Sequence, residues 1–185
     1  MQVGSLPLSA FVPPPPPSAI SFPVNRHMVK TEHIISELGL TLPPAPTAAA
    51  NYQPCQRVDN VLYLSGHLPL RDDGTLHTGT LGKDYDVQAG YQAARQVGLN
   101  LIASLKHELG DLDRVEKIVK LFGIVQSTDD FHEQHKVVNG CSDLFCEVFG
   151  KERGMHARSA IGTNALPLGI AVEIEAIVLV RDTST

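Results

Sequence analysis

The sequence predicts an α+β fold in which one sheet carries two helices on a single face. Two segments, 84–110 and 128–150, repeat apolar residues at helical spacing, and shorter β-branched runs flank them in the order strands, helix, strand, helix, strands. The run from Val172 to Val180 alternates strictly, with Val172, Ile174, Ala176, Val178 and Val180 on one face and Glu173, Glu175, Ile177 and Leu179 on the other. At 185 residues, 43% of them hydrophobic, the chain suffices for one core, which predicts a single domain over 28–185. Helices that shield one side of the sheet leave the other bare, and a bare apolar sheet face predicts contact with another subunit.

Residues 1–27 differ from the rest: Pro13 to Pro17 form a run, serines are scattered through the segment, and no acidic residue precedes Glu32. Such a composition cannot pack a core and reads as a solvated, disordered tail. A polyproline arm, a targeting leader, or an upstream start ahead of Met28 are the other readings of it. Within 28–45, Thr31 is placed to cap a short helix carrying Ile34, Ile35 and Leu38, which Gly39 and Pro43-Pro44 stop, so the segment reads as a strap across the domain. In the core, 46–181, strands are expected over Gln56–Asp59, Val61–Ser65 and Thr75–Leu81, with turns at Asp59-Asn60 and Asp73-Gly74. Asp84 is the expected cap of the first long helix, whose stripe is Val87, Tyr91, Ala94, Val97, Leu101, Leu105 and Leu109 and whose stop is Gly110. Val115–Gln126 is too β-branched for another such helix and reads as a buried strand. Thr128 or Asp129 then caps a helix striped by Phe131, His135, Val138, Ser142, Phe145 and Phe149 and closed by Gly150. Ala157–Gly162 and Ile170–Arg181 complete the sheet through Leu166-Pro167, with each long helix expected to link parallel neighbouring strands by a right-handed crossover.

Fifteen Lys+Arg against twenty Asp+Glu give a formal charge of -5 with no basic block, which disfavours nucleic acid as a partner. No apolar stretch reaches the roughly 18–20 residues needed to cross a bilayer, so no membrane is expected either. Cys55, Cys141 and Cys146 are odd in number and contain no C-x-x-C; they read as small buried hydrophobes in a reducing compartment, which points to the cytoplasm, or to mitochondria if the N-terminal extension is a leader. Phe131-His132-Glu133-Gln134-His135 fails the H-E-x-x-H spacing of zinc peptidases, and Asp72-Asp73-Gly74 offers too few carboxylates for a calcium loop. No metal is called for.

Two charges interrupt the apolar C-terminal strands: Arg158 opens one and Glu173 stands near the start of the next. A charge in such a run needs a partner or a purpose. Antiparallel pairing across the short link would bring guanidinium and carboxylate together, and a guanidinium's planar fork suits a small organic acid. The pattern reads as an anion clamp beside an acid–base group or as a structural ion pair at a subunit interface, and alone it favours the second.

Arg158-Ser159, Leu166-Pro167 and Val172-Glu173-Ile174-Glu175-Ala176-Ile177 together resemble the signature of the Rid family, also called YjgF or L-PSP proteins. Asn60-Val61-Leu62-Tyr63-Leu64-Ser65-Gly66-His67-Leu68-Pro69 resembles a second family segment, Tyr52 stands ahead of it, and Asn139 falls where the family carries an asparagine. The resemblance covers Pro46 to Arg181. It implies a chorismate-mutase-like fold, a homotrimer with ligand pockets between subunits, and cofactor-independent hydrolysis of enamines and imines such as 2-aminoacrylate to 2-keto acids and ammonia. Carried over, Arg158 would bind the substrate carboxylate, Glu173 would hold the attacking water, and Tyr52 would orient it or stabilise the adduct. Ser65, Gly66 and Asn139 would line the pocket; His67, at the strand end, reads either as reaching that pocket or as a satisfied structural histidine.

This chain departs from the pattern at Ala160, where many members carry cysteine, and at His67, where glutamine is usual. Asp130–Val138 also holds about one helical turn more than compact members, and His156 stands just ahead of the arginine. These departures mark a distinct branch. Three functions compete: an imine or enamine deaminase, a non-catalytic trimeric receptor for a small carboxylate, and the ribonuclease or translation-inhibitor activity ascribed to some relatives.

Overall fold

A computed structural model describes residues 30–45 and 51–181. The proline-rich segment 1–27 and Met28 lie outside the described residues. Helix α1 (Thr31–Glu37) is followed by strands β1 (Cys55–Val58) and β2 (Val61–His67), helix α2 (Val87–Leu109), strand β3 (Val115–Gln126), helix α3 (Gln134–Gly154), and strands β4 (Ala157–Thr163) and β5 (Val172–Val180). The sheet runs β1-β2-β5-β3-β4. Pairing is antiparallel throughout except between β3 and β4, which run parallel.

The strict alternation of β5 is explained by its central place. Val172, Ile174, Ala176, Val178 and Val180 are buried beneath the helices, in one core with Val97, Leu101 and Leu105 of α2 and Cys141, Leu144 and Phe145 of α3. Fully burying an aliphatic side chain of that size contributes about 1.5–3 kcal/mol, so this strand is the main apolar seam of the domain. The helices lie against each other so closely that a Cβ at Gly140 would collide with the carbonyl of Tyr91 and lie 2.9 Å from the amide nitrogen of Arg95. Among the described residues nothing covers the opposite face of the sheet, which presents Tyr63 at 47% and Ile161 at 46% exposure, with Phe122 and Ile177 partly exposed.

Several expectations are corrected. Ala157–Thr163 does not pair with the final strand, because β3 lies between them. The crossover through α3 does join parallel neighbours, whereas α2 joins β2 to β3, which are parallel but separated by β5. Residues 75–81 form no strand; they contribute single bridges from Leu76, Thr78 and Leu81, because Gly79 and Gly82 at φ 144° and 85° break any extended run. The cap of α2 is Asp86, which accepts from the Ala89 amide, while Asp84 accepts from the Thr80 amide in the preceding turn. Helix α3 starts at Gln134, later than Thr128 or Asp129, so the first residues of the 130–138 segment are not helical. Its buried stripe is Val137, Val138, Cys141, Leu144, Phe145, Val148 and Phe149, which leaves His135 exposed and Ser142 half-buried. Gly150, at φ 73° and ψ 162°, breaks the helical run as expected, and a further short turn carries the chain to Gly154.

The strap is anchored by polar contacts. Thr31 is the first helical residue and does not cap α1; its amide and hydroxyl both donate to Asp113 Oδ1, at 2.9 and 2.7 Å, and Arg153 Nη2 donates to its hydroxyl at 3.0 Å. Glu32 pairs with Lys106 at 2.5 Å. Of the three cysteines only Cys141 is fully buried, while Cys55 and Cys146 are half-buried.

Candidate functional site

The expected site residues fall into two groups on opposite sides of the sheet. The first gathers around Arg158. Its register partner on β3 is Leu121, which is buried on the helix side, so Arg158 projects toward α3. There Nη1 donates to Asn139 Oδ1 at 2.8 Å and to Ser142 Oγ at 2.9 Å, and Nη2 donates to the His135 carbonyl at 3.1 Å. All three acceptors are neutral, and among the described residues no carboxylate lies within ion-pair distance of this guanidinium. Ser142 in turn contacts His156: its Oγ lies 3.0 Å from Nε2, while Nδ1 lies 2.6 Å from the Gly154 carbonyl.

The second group is on the uncovered face. Glu173 pairs in register with Ile124 and leans over the backbone of Gly66, where a Cβ would collide with its Oε1. The ladder between β2 and β5 is irregular from Leu64 to His67, so Ser65 and Gly66 occupy a bulge. Ser65 donates from Oγ to the Gln53 carbonyl at 2.7 Å and from its amide to the Pro54 carbonyl at 3.0 Å, which brings the segment carrying Tyr52 alongside this corner. Tyr52 is 47% exposed. Burial, and secondarily the neighbouring charge of Glu175, raises the pKa of Glu173 above the ordinary carboxylate value. Arg158 does not counter this rise within one chain. A shallow trough of about 320 Å³ adjoins the corner, lined by Tyr63, Ser65, Lys120, Phe122, Glu175 and Ile177 among others.

The same bulge turns His67 the other way. It is buried at 4% exposure, with Nδ1 donating to the Ser65 carbonyl at 2.6 Å and Nε2 accepting from Ser104 Oγ at 2.7 Å. Since a carbonyl only accepts, this fixes the tautomer and ties the sheet to α2. Burial lowers its pKa. The structure therefore places His67 in the core, apart from the two polar groups.

Arg158 meets Asn139, and Glu173 meets Gly66 beside Ser65 and the Tyr52 segment. The expected contact between Arg158 and Glu173 is absent within one chain: the strands that bear them are separated by β3, and the side chains leave the sheet in opposite directions. Ser142 was visible in the sequence only as a stripe position and His156 only as the neighbour of an arginine. Their contact depends on the return of the chain from α3 into β4.

A five-stranded sheet with two long helices on one face and a polar group on each side defines the chain as a chorismate-mutase-like α+β protein. Residues 32–178 match the family model described as "YjgF/chorismate mutase-like, putative endoribonuclease", and the chain belongs to that family. It is similar to the Trypanosoma cruzi protein TCP17, at 44% identity over 144 residues, covering 78% of this chain and 90% of the relative. Among solved structures it resembles protein Atu1372 of Agrobacterium tumefaciens, at 42% identity and a TM-score of 0.74, covering 82% of this chain and 94% of that one. A Shewanella oneidensis protein, whose description also carries the endoribonuclease label, superposes with a TM-score of 0.79 at 35% identity, covering 82% of this chain and 100% of that one.

Proposed function

We propose that the protein hydrolyses small enamine or imine acids of the 2-aminoacrylate type to 2-keto acids and ammonia, without a cofactor, as a homotrimer. The observation that carries this reading is the state of Arg158: a half-buried guanidinium held by three neutral oxygens, with its charge unmatched by any described carboxylate. A bound carboxylate would supply the missing charge through the fork geometry that guanidinium favours. Glu173 suits the second task. Its raised pKa lets it hold a water, take a proton from it as it attacks the electrophilic imine carbon, and return a proton to the departing nitrogen. The C=N bond is replaced by C=O, ammonia leaves, and the protons balance with one water consumed. Tyr52 orients the water, and Asn139 and the Ser65-Gly66 backbone line the pocket.

One chain does not bring these tasks together, so the reading requires the Arg158 group of one protomer to face the Glu173 corner of the next. The uncovered sheet face, with Tyr63, Phe122, Ile161 and Ile177 partly exposed, favours such an assembly. The test couples a serine or threonine dehydratase, which generates the enamine, to timed release of pyruvate or 2-oxobutanoate with and without the protein. The expected result is faster keto-acid release, lost on Arg158→Ala. Unchanged acceleration by Arg158→Ala sinks the reading. Saturable carboxylate binding without turnover makes the protein a receptor, and RNA cleavage that is lost on Arg158→Ala makes it a ribonuclease.

A further inference from the structure

The polar chain behind Arg158 has a definite direction. The Gly154 carbonyl accepts from His156 Nδ1, so the neutral ring bears its proton there and leaves Nε2 as an acceptor. Nε2 accordingly takes the hydroxyl proton of Ser142, and the oxygen lone pairs of Ser142 are left to accept from Arg158 Nη1. One carbonyl at the end of α3 thus dictates the orientation of every donor up to the guanidinium. The proposed reaction has no use for Ser142 or His156, although both are half-buried beside its anion anchor.

We propose that His156, acting through Ser142, aims the Arg158 guanidinium and adds a second, pH-dependent positive charge to the anion site. This inference rests on the reading of Arg158 as the carboxylate anchor. The charged side chains acting on the ring are both cations, Arg158 on β4 and Lys117 on β3, while α3 faces it with Ser142 and the edge of Phe145, whose ring centroid is 6.3 Å away. Burial above all lowers the pKa of His156, the bond to the Gly154 carbonyl opposes it, and the two cations add to the lowering, so the ring gains its charge at a lower pH than an ordinary histidine. When it does, Nε2 becomes a donor and the proton of Ser142 must rotate away. A bound carboxylate relieves the crowding of the two cations, so anion binding and His156 protonation favour each other.

The test measures the dissociation constant of 2-oxobutanoate for the full chain from pH 7.5 down to about 4.5, where that carboxylate stays ionised. A charge added two hydrogen bonds behind the guanidinium, through contacts of 2.9 and 3.0 Å, in a partly solvated setting, tightens anion binding about three- to tenfold. His156→Gln keeps an acceptor for Ser142 but cannot titrate, so it loses this step. Any tightening that remains belongs to Glu173 and disappears in Glu173→Gln. Ser142→Ala binds more weakly at every pH while retaining the step. Superimposable wild-type and His156→Gln profiles overturn the proposal, as does a neutral His156 ring protonated on Nε2 in histidine nitrogen NMR. Failure of the wild type to bind, or undiminished binding by Arg158→Ala, refutes the anchor instead. The relay is then judged without ligand: Arg158→Ala must raise the titration midpoint of His156, and an unmoved midpoint overturns it.

Discussion

Gly66→Ala separates stability from activity in this fold. The backbone of Gly66 lies in ordinary φ space, so alanine strains nothing locally. The obstacle is Glu173, whose Cδ and Cγ would lie 2.7 and 3.0 Å from the new Cβ, with Oε1 in direct collision. The group that must move is the end of a flexible side chain, and turning it out of its preferred rotamer costs about 0.5–1.5 kcal/mol. For a chain of this size that lowers Tm by roughly 1–6 °C. The carboxylate, however, must retreat by about an ångström, and a displacement of that size at a reacting group costs on the order of a hundredfold in rate. Thermal unfolding and the dehydratase-coupled assay should therefore disagree: a small loss of Tm beside a loss of turnover approaching that of Glu173→Gln. If Gly66→Ala turns over like wild type while Glu173→Gln is inactive, the carboxylate does not work from this corner and the assignment of the water-holding role is wrong.

Two other outcomes follow from the packing. His67 is buried neutral with a lowered pKa, so its contribution to stability is complete above the unfolded value near 6.5 and is lost as pH falls through the folded value. Urea unfolding at pH 7.5 and 5.5 should show His67→Gln losing less stability than wild type, by up to about 1.4 kcal/mol per pH unit; parallel losses would mean that the ring is not buried neutral. Gly140→Ala places a methyl group against the backbone of α2, which cannot swing aside as a side chain does. It should destabilise by about 1–3 kcal/mol, visible as a lower urea midpoint, and an unchanged midpoint would show that the helices do not approach so closely.

Local chemistry made much of this fold readable. The alternation of β5, the stripe of α2 and the stop at Gly110 follow from periodicity and backbone preference, which residues carry individually. The errors fell where partners compete. Asp84 and Asp86 are equally good caps in isolation, and only the demand of the Thr80 amide assigns each its place. Arg158 and Glu173 are joined by a short link, which suggests a hairpin, yet β3 lies between their strands, a long-range pairing that no local pattern marks. The residue types of the candidate site were thus legible while their arrangement was not. His67 illustrates the limit further: one bulge decides whether a residue after Ser65-Gly66 faces the uncovered side or the core, and the sequence carries no mark of its direction.

The central position of β5 bears on how the chain can be made. Residues 172–180 fill the slot between β2 and β3, so every earlier strand emerges from the ribosome before the element that joins the two halves of the sheet. Until then β2 and β3 expose unpaired edges, and a message broken before this stretch yields two half-sheets open to aggregation.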